Sequence, residues 1–415
     1  MNMKIGYNFG IFVYKQLVSL ASLKNKKAKK MIQGHKEIFR YLSENADPQG
    51  GYIWIHASSL GEFEQGRPII ESIKAAMPEK KILVTFFSPS GYEVRKNYSN
   101  ADLICYLPFD LPGNVRRFLD IVKPSQAIFI KYEFWANYLN ELASRRIPTY
   151  IVSAIFRSKQ IFFRPYGGYF RKILKNFTHL YVQDEPSRLL LSGIGVEHVT
   201  VVGDTRFDRV LEIQARAKEL PLVETFSQGC ITMVAGSSWP KDEDVFIEFF
   251  NNTPELKLII APHEINEEHF RHLTSLLKRP YVFYTQADEE SVKKADCLII
   301  DCFGLLSSIY RYGDIAYVGG GFGAGIHNVP EAAVYSLPVI FGPNFKKFKE
   351  AKDLIACGGA FTVKNKREFV SIVSRLLTDS EYLKTSGTIA GDYIKNNAGA
   401  SELILRDLYQ IPYKK

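Results

Sequence analysis

Two stretches of this chain bring together the side chains and backbone freedom that chemistry needs. The first is His56-Ala57-Ser58-Ser59-Leu60-Gly61-Glu62, with Gln65, Gly66 and Arg67 close behind. It follows an apolar run, Tyr52–His56, and precedes a helix-length segment, so it lies where a strand gives way to a helix. Unpaired backbone N–H groups at such a helix start favour an anion or a developing negative charge. Glu62 in that turn has two roles open to it: a carboxylate that stabilises the helix start, or a base that takes the proton of an incoming hydroxyl. The second stretch runs from Gly319 to Glu331, directly after Ile315–Val318, and holds Gly320, Gly321, Gly323 and Gly325. Its glycines let backbone amides approach a phosphate, and a helix opening at Pro330 turns its positive end toward it. Glu331 in that first turn is suited to accepting hydrogen bonds from ribose hydroxyls. A dinucleotide fingerprint expects an acidic residue about 20 positions on; only Glu350 is near, so NAD fits poorly. A tight turn would use the same glycines.

These stretches need a scaffold that delivers them to one place. Short apolar runs rich in branched and aromatic residues recur at Tyr52–His56, Ile82–Phe86, Leu103–Tyr106, Ala127–Ile130, Thr149–Val152 and Leu180–Val182, with helix-length segments such as Gln65–Ala76 and Asn114–Ile121 between them. A second series follows at Ile231–Val234, Leu256–Ile260, Val282–Tyr284, Cys297–Ile300, Ile315–Val318 and Pro338–Phe341. The alternation predicts α/β architecture, two doubly wound parallel sheets in tandem, with ligands in a crevice at the carboxyl ends of the strands. Polar clusters at other strand ends then join the site: Gly236-Ser237-Ser238-Trp239, Pro262-His263-Glu264, Asp301-Cys302-Phe303-Gly304 and the Gly203–Asp208 loop with Arg206. Asp242-Glu243-Asp244 follows Pro240 and reads as the acidic first turn of a helix rather than a metal clamp, so no metal site is expected. The expected organisation is an N-terminal segment over 1–35, a first Rossmann-like domain over 36–210, a linker over 211–229, a second such domain over 230–380, and C-terminal helices over 381–415 that cross back to the first domain. Glu381–Tyr409 reads as helical.

Charge divides the chain unevenly. The first 210 residues hold 30 of the 53 Lys and Arg but 18 of the 44 Asp and Glu, a net +12 against −3 for the remainder. The first half therefore calls for an anionic partner. No zinc-finger or RNP-type signature accompanies the charge, so nucleic acid is not expected. Five cysteines without CxxC spacing read as reduced thiols of a cytosolic protein. Ile5–Leu23 is apolar but interrupted by Asn8, Lys15 and Gln16, which makes it marginal as a spanning helix. It reads as a helix lying on an anionic membrane surface, with Phe9, Phe12, Val13, Leu17 and Leu20 inserted and the lysines of 24–30 on head groups. The alternative is an amphipathic helix packed on the first domain.

Taken in order, His56–Ile70 (HASSLGEFEQGRPII), Leu83–Val94 (LVTFFSPSGYEV), Lys131-Tyr132-Glu133-Phe134-Trp135, Ser153–Arg157 (SAIFR) and Gly319–Ala333 (GGGFGAGIHNVPEAA) resemble the 3-deoxy-D-manno-octulosonic acid (Kdo) transferases. The resemblance implies a GT-B fold, two Rossmann-like domains facing a cleft, and metal-independent, inverting transfer of Kdo from CMP-Kdo to the phosphorylated lipid A precursor. It places the protein at the cytoplasmic face of the bacterial inner membrane, with no cofactor beyond the substrate CMP-Kdo. By the same resemblance Glu62 is the general base. Ser237, Pro262, His263, the Gly320–Gly325 loop, Asn328 and Glu331 would hold CMP. His56, Ser59, Gly61, Arg67, Lys131, Arg157 and Arg206 are the candidates for the acceptor or the Kdo carboxylate. Trp239-Pro240-Lys241-Asp242-Glu243 and His263-Glu264 depart from the enterobacterial form of the family, which bears on the CMP and Kdo contacts. The alternatives are another GT-B-like enzyme, such as a nucleotide-sugar epimerase, and a non-catalytic membrane adaptor.

Overall fold

A computed structural model describes residues 3–411. The chain divides into two compact units, Met1–Arg209 together with Ala398–Lys415, and Val210–Asn397. The first holds seven parallel strands: β1 (Ile53–His56), β2 (Ile82–Phe86), β3 (Leu103–Tyr106), β4 (Gln126–Ile130), β5 (Thr149–Ala154), β6 (His179–Val182) and β7 (Val199–Val201), in the order β3-β2-β1-β4-β5-β6-β7. The second holds β8 (Ile231–Ser238), β9 (Leu256–Pro262), β10 (Tyr281–Phe283), β11 (Cys297–Ile299), β12 (Ile315–Val318), β13 (Val339–Phe341) and β14 (Ala360–Thr362), in the order β10-β11-β9-β8-β12-β13-β14. In each sheet the order reverses beside the first strand, between β1 and β4 and between β8 and β12. Such a switch point opens a crevice at the strands' carboxyl ends.

Both faces of each sheet are covered, which is why the strands are almost wholly apolar. On one face of the first sheet Ile53 and Ile55 pack against Ile69, Ile70 and Ile73 of a helix over Leu60–Ala76, here α3. On the other, Trp54 lies 5.1 Å from the Phe118 ring and 5.2 Å from that of Phe129. Two helices precede the sheet, α1 (Met3–Ala21) and α2 (Lys26–Asn45). One edge of α1 is docked: the Tyr7 hydroxyl donates to Asp110 Oδ2 at 2.6 Å, and the Asn137 amide donates to Asn8 Oδ1 at 2.8 Å. Its opposite face leaves Ile5, Phe9, Phe12, Val13, Leu17 and Leu20 exposed. Among the described residues no helix is long and apolar enough to cross a membrane.

Three local features add to these expectations. Within the 211–229 stretch helix Thr205–Ala215 comes to its end, and helix Pro221–Ser227 buries Val223 and Phe226. Glu381–Tyr409 is two helices, Ser380–Asn396 and Ala400–Tyr409, separated at Gly399, whose φ of 110° ends any helix. The break falls where the chain passes from the second unit back to the first, and both carboxylate oxygens of Asp208 fix the new helix start through the Gly399 and Ser401 amides, at 2.5 and 2.7 Å. The short edge strand β14 carries no alternation by which to recognise it.

Candidate active site

In the first unit the switch point sets the loop after β1 beside the loop after β4. His56 closes β1 with its ring fully buried. The Trp54 indole donates to Thr85 Oγ1 at 2.8 Å, and His56 Nδ1 lies 2.8 Å from that hydroxyl and 3.1 Å from the Thr85 carbonyl oxygen. His56 Nε2 donates to Glu133 Oε2 at 2.9 Å. The same oxygen accepts from the Ser58 hydroxyl at 2.7 Å and the Trp135 indole at 2.5 Å. Burial alone would raise Glu133, but these donors and the His56 charge hold it below the usual carboxylate range.

Glu62 is the third residue of α3. Its Oε2 accepts the backbone N–H of Ser59 at 3.1 Å, closing the helix start as in a capping box. Burial and then the Glu133 charge push its pKa up to about 7, against the pull of His56, the Ser59 amide and Lys131. The two carboxylates titrate as a pair, the proton resting on Glu62.

Cations surround this pair. Lys131 ends β4 in a left-handed conformation, φ 68°, with its ammonium 5.4 Å from the Tyr132 ring centre. With its amide oxygen turned toward the cations, Gln65 accepts from Lys131 Nζ and Arg206 Nε at 3.3 Å each. The Tyr132 phenol feels Arg157, Arg206, Asp204 and Glu62 together. Arg157 is exposed, and its backbone N–H bonds Gln160. Arg206 is paired with buried Asp204, Nη2 to Oδ2 at 2.8 Å.

Two candidates take other parts. Arg67 turns to the acidic side of α3, donating to Glu71 at 2.6 Å and lying 3.5 Å from Glu64, because five residues along a helix point well away from Glu62. His56 is sealed behind Glu133 and positions it rather than meeting a ligand. Ser59 caps α3, and Gly61 is exposed in its first turn.

In the second unit Ser237, φ 53°, bulges from β8 just before Ser238, which ends the strand opposite Pro262. The glycine loop is braced by Asp242, whose Oδ2 accepts from Gly320 N–H at 2.8 Å and Trp239 N–H at 3.1 Å while Oδ1 accepts from the Tyr317 hydroxyl at 3.0 Å. Gly320 has φ 90°, and a Cβ on Gly321 would come within 2.5 Å of the Gly342 nitrogen, so both positions require glycine. A cavity of about 470 Å³ opens between Trp239, Lys241, Asp242, the Gly323–Gly325 turn and His327. His263 stacks on Trp239 at 4.7 Å and on His327 at 4.3 Å, and the Trp239 indole donates to His327 Nε2 at 3.0 Å. Burial and the neighbouring His263 lower His327 to about 4, so that ring is neutral. Asn328 donates to Glu331 at 2.6 Å. Glu133 and Trp135 are absent from the site predicted by spacing, and His327 is not singled out within the Gly319–Glu331 stretch. The rule that ligands gather at switch points would have found them, since each follows a strand that flanks one.

The sequence of a 3-deoxy-D-manno-octulosonic acid transferase from Aquifex aeolicus is 30% identical over 356 residues, 83% of this chain and 92% of that protein. The chain belongs to the 3-deoxy-D-manno-octulosonic acid transferase family. The profile for 3-deoxy-D-manno-octulosonic-acid transferase (kdotransferase) matches residues 33–209, the part that holds Glu62 and Glu133. The transferase of that name from Haemophilus influenzae is 26% identical over 86% of each chain. Among solved structures, UDP-GlcNAc 2-epimerase from Neisseria meningitidis matches 87% of this chain and 100% of its own with a TM-score of 0.62 at 15% identity. That likeness concerns the fold, which is of the GT-B type.

Proposed function

We propose that the protein transfers Kdo from CMP-Kdo to a hydroxyl of a phosphorylated lipid A precursor, with inversion at the anomeric carbon, at the cytoplasmic face of the bacterial inner membrane during lipopolysaccharide synthesis. The observation that carries this reading is Glu62, a half-buried carboxylate at a helix start whose pKa of about 7 suits a base at neutral pH. Glu62 accepts the proton of the acceptor hydroxyl as its oxygen attacks the anomeric carbon, and CMP leaves from the opposite face. Lys131 and Arg157 meet the Kdo carboxylate or an acceptor phosphate. Amides of the Gly320–Gly325 loop and the Lys241 ammonium receive the CMP phosphate in place of a metal ion. Asn328 and Glu331 hold the ribose, and Ser237, Pro262 and His263 border the base. The exposed apolar face of α1 and the lysines of 24–30 support peripheral attachment to an anionic membrane.

The test is a transfer assay with freshly generated CMP-Kdo and a tetraacylated lipid A precursor, read by product mass. A mass gain of one or more Kdo units with wild type, lost in Glu62→Gln, is expected. A folded wild-type enzyme that yields no Kdo adduct from intact donor overturns the reading.

A further inference from the structure

A second cavity, about 220 Å³, opens between α1, α2 and the loop that follows β3. Its floor is apolar, from Ile32, Phe39, Pro108 and Phe109, while its polar lining comes from Lys15, Gln16, Ser19, His35, Lys36 and Asn114. Every one of those six side chains carries an N–H or O–H donor, and none is a carboxylate. Elsewhere on the hairpin Lys30 is paired with Glu93. Lys15 and Lys36, by contrast, have no ion-pair partner among the described residues. Both ring nitrogens of His35 are shut off from solvent without a hydrogen-bond partner. The ring packs 4.4 Å from Phe109 and 5.6 Å from Tyr106. Burial and the Lys15 ammonium lower its pKa to about 3, so the imidazole is neutral with one N–H to give. Buried polar atoms are nearly always satisfied, and a ring N–H left without an acceptor, beside two ammonium groups with no ion-pair partner among the described residues, is explained by an anionic acceptor. The cavity is several times the ~30 Å³ of a single water. Its mouth adjoins the exposed stripe of α1, since Gln16 stands one turn from both Phe12 and Leu20.

We propose that this cavity binds a phosphate group, carried on an amphiphile or free, between the Lys15 and Lys36 ammonium groups with His35 behind them. An acyl chain along the Phe12 and Leu20 stripe would deliver a phosphate head to that mouth. The site is built from the hairpin and its neighbouring loop, so it stands or falls independently of the transferase reading.

The full-length protein is titrated with inorganic phosphate at constant ionic strength while the His35 imidazole signals are followed by NMR. In parallel it is sedimented with phosphatidylcholine vesicles containing phosphatidic acid or phosphatidylglycerol at equal surface charge. We expect about tenfold tighter binding to the phosphatidic acid vesicles, because a monoester phosphate offers more charge and acceptors to the cavity. The preference disappears in Lys15→Gln/Lys36→Gln and persists in Lys26→Gln/Lys27→Gln, which removes the same charge from the same hairpin. A saturable His35 shift with inorganic phosphate alone assigns the site to free phosphate. A vesicle preference without that shift assigns it to a lipid head group. Equal affinity for the two vesicles with an unmoved His35 overturns the proposal, as does a preference that survives Lys15→Gln/Lys36→Gln.

Discussion

Glu62 and Asp242 occupy equivalent places in the two units. Each is the third residue of the helix after the first strand of its sheet, and each reaches back 3.1 Å to the backbone N–H of the residue preceding that helix, Ser59 or Trp239. Burial pushes both pKa values upward. They differ in what else they hold. Asp242 also accepts from the Gly320 amide and the Tyr317 hydroxyl, so both its oxygens are engaged and the glycine loop is tied to it. Among the described residues Glu62 engages only Oε2, through Ser59, and the Glu133 carboxylate beside it favours the protonated form. The same cap position thus yields a brace in one unit and, in the function we propose, a proton acceptor in the other. The number of donors a carboxylate already holds separates the two, and its place in the helix does not.

The sharpest way to break this comparison is to neutralise each group in turn. Glu62→Gln keeps an oxygen for Ser59 but cannot take a proton, so turnover should fall at least ~100-fold while CMP affinity, measured by calorimetry, is unchanged. Asp242→Asn keeps one oxygen for the two backbone amides but loses the charge that strengthens those bonds and turns an NH2 to the Tyr317 hydroxyl, so the loop loosens and CMP binds about tenfold more weakly, with turnover at saturating donor within about threefold of wild type. If Asp242→Asn abolishes turnover at saturation and Glu62→Gln chiefly weakens CMP, the two roles are reversed.

Much of this was legible beforehand, for identifiable reasons. Runs such as Ile82–Phe86 and Ile315–Val318 are continuous because parallel strands covered on both faces need apolar residues at every position, so both sheets could be read from them. The loops holding Glu62 and Gly320 were visible because small residues cluster directly after a strand. Non-local pairings were not visible. His56 and Glu133 lie 77 positions apart and meet only because β1 pairs with β4, which no local period encodes. Arg67 looked like an anion ligand from proximity in sequence, yet the helical twist carries it to Glu71. The helix break at Gly399 was hidden because a lone glycine between two helical stretches looks the same whether the helix continues or ends.

Acid–base behaviour sharpens the contrast further. With a pKa of about 7, Glu62 loses its proton across the neutral range, so the rate of transfer should rise about tenfold per pH unit below 7 and level off above it. The sign for stability is opposite. The folded state holds a proton that the unfolded chain has already released, so the contribution of Glu62 is full below the ordinary carboxylate range and is lost as pH rises through about 7. Glu62→Gln should therefore melt higher than wild type, by about 2 °C, at pH ~8, and gain nothing at pH ~4, as followed by calorimetry.

The smallest expected effect tests the cause of that pKa. Glu133→Gln removes the like charge beside Glu62 but leaves a carbonyl oxygen for Ser58, Trp135 and His56. Burial, the larger influence, remains. The acid limb of the rate profile should then move down by about one pH unit, with the plateau changed far less than in Glu62→Gln. An unmoved limb would mean that burial alone sets the proton on Glu62. The contrast with Asp242 would then rest on unequal hydrogen bonding rather than on a neighbouring charge.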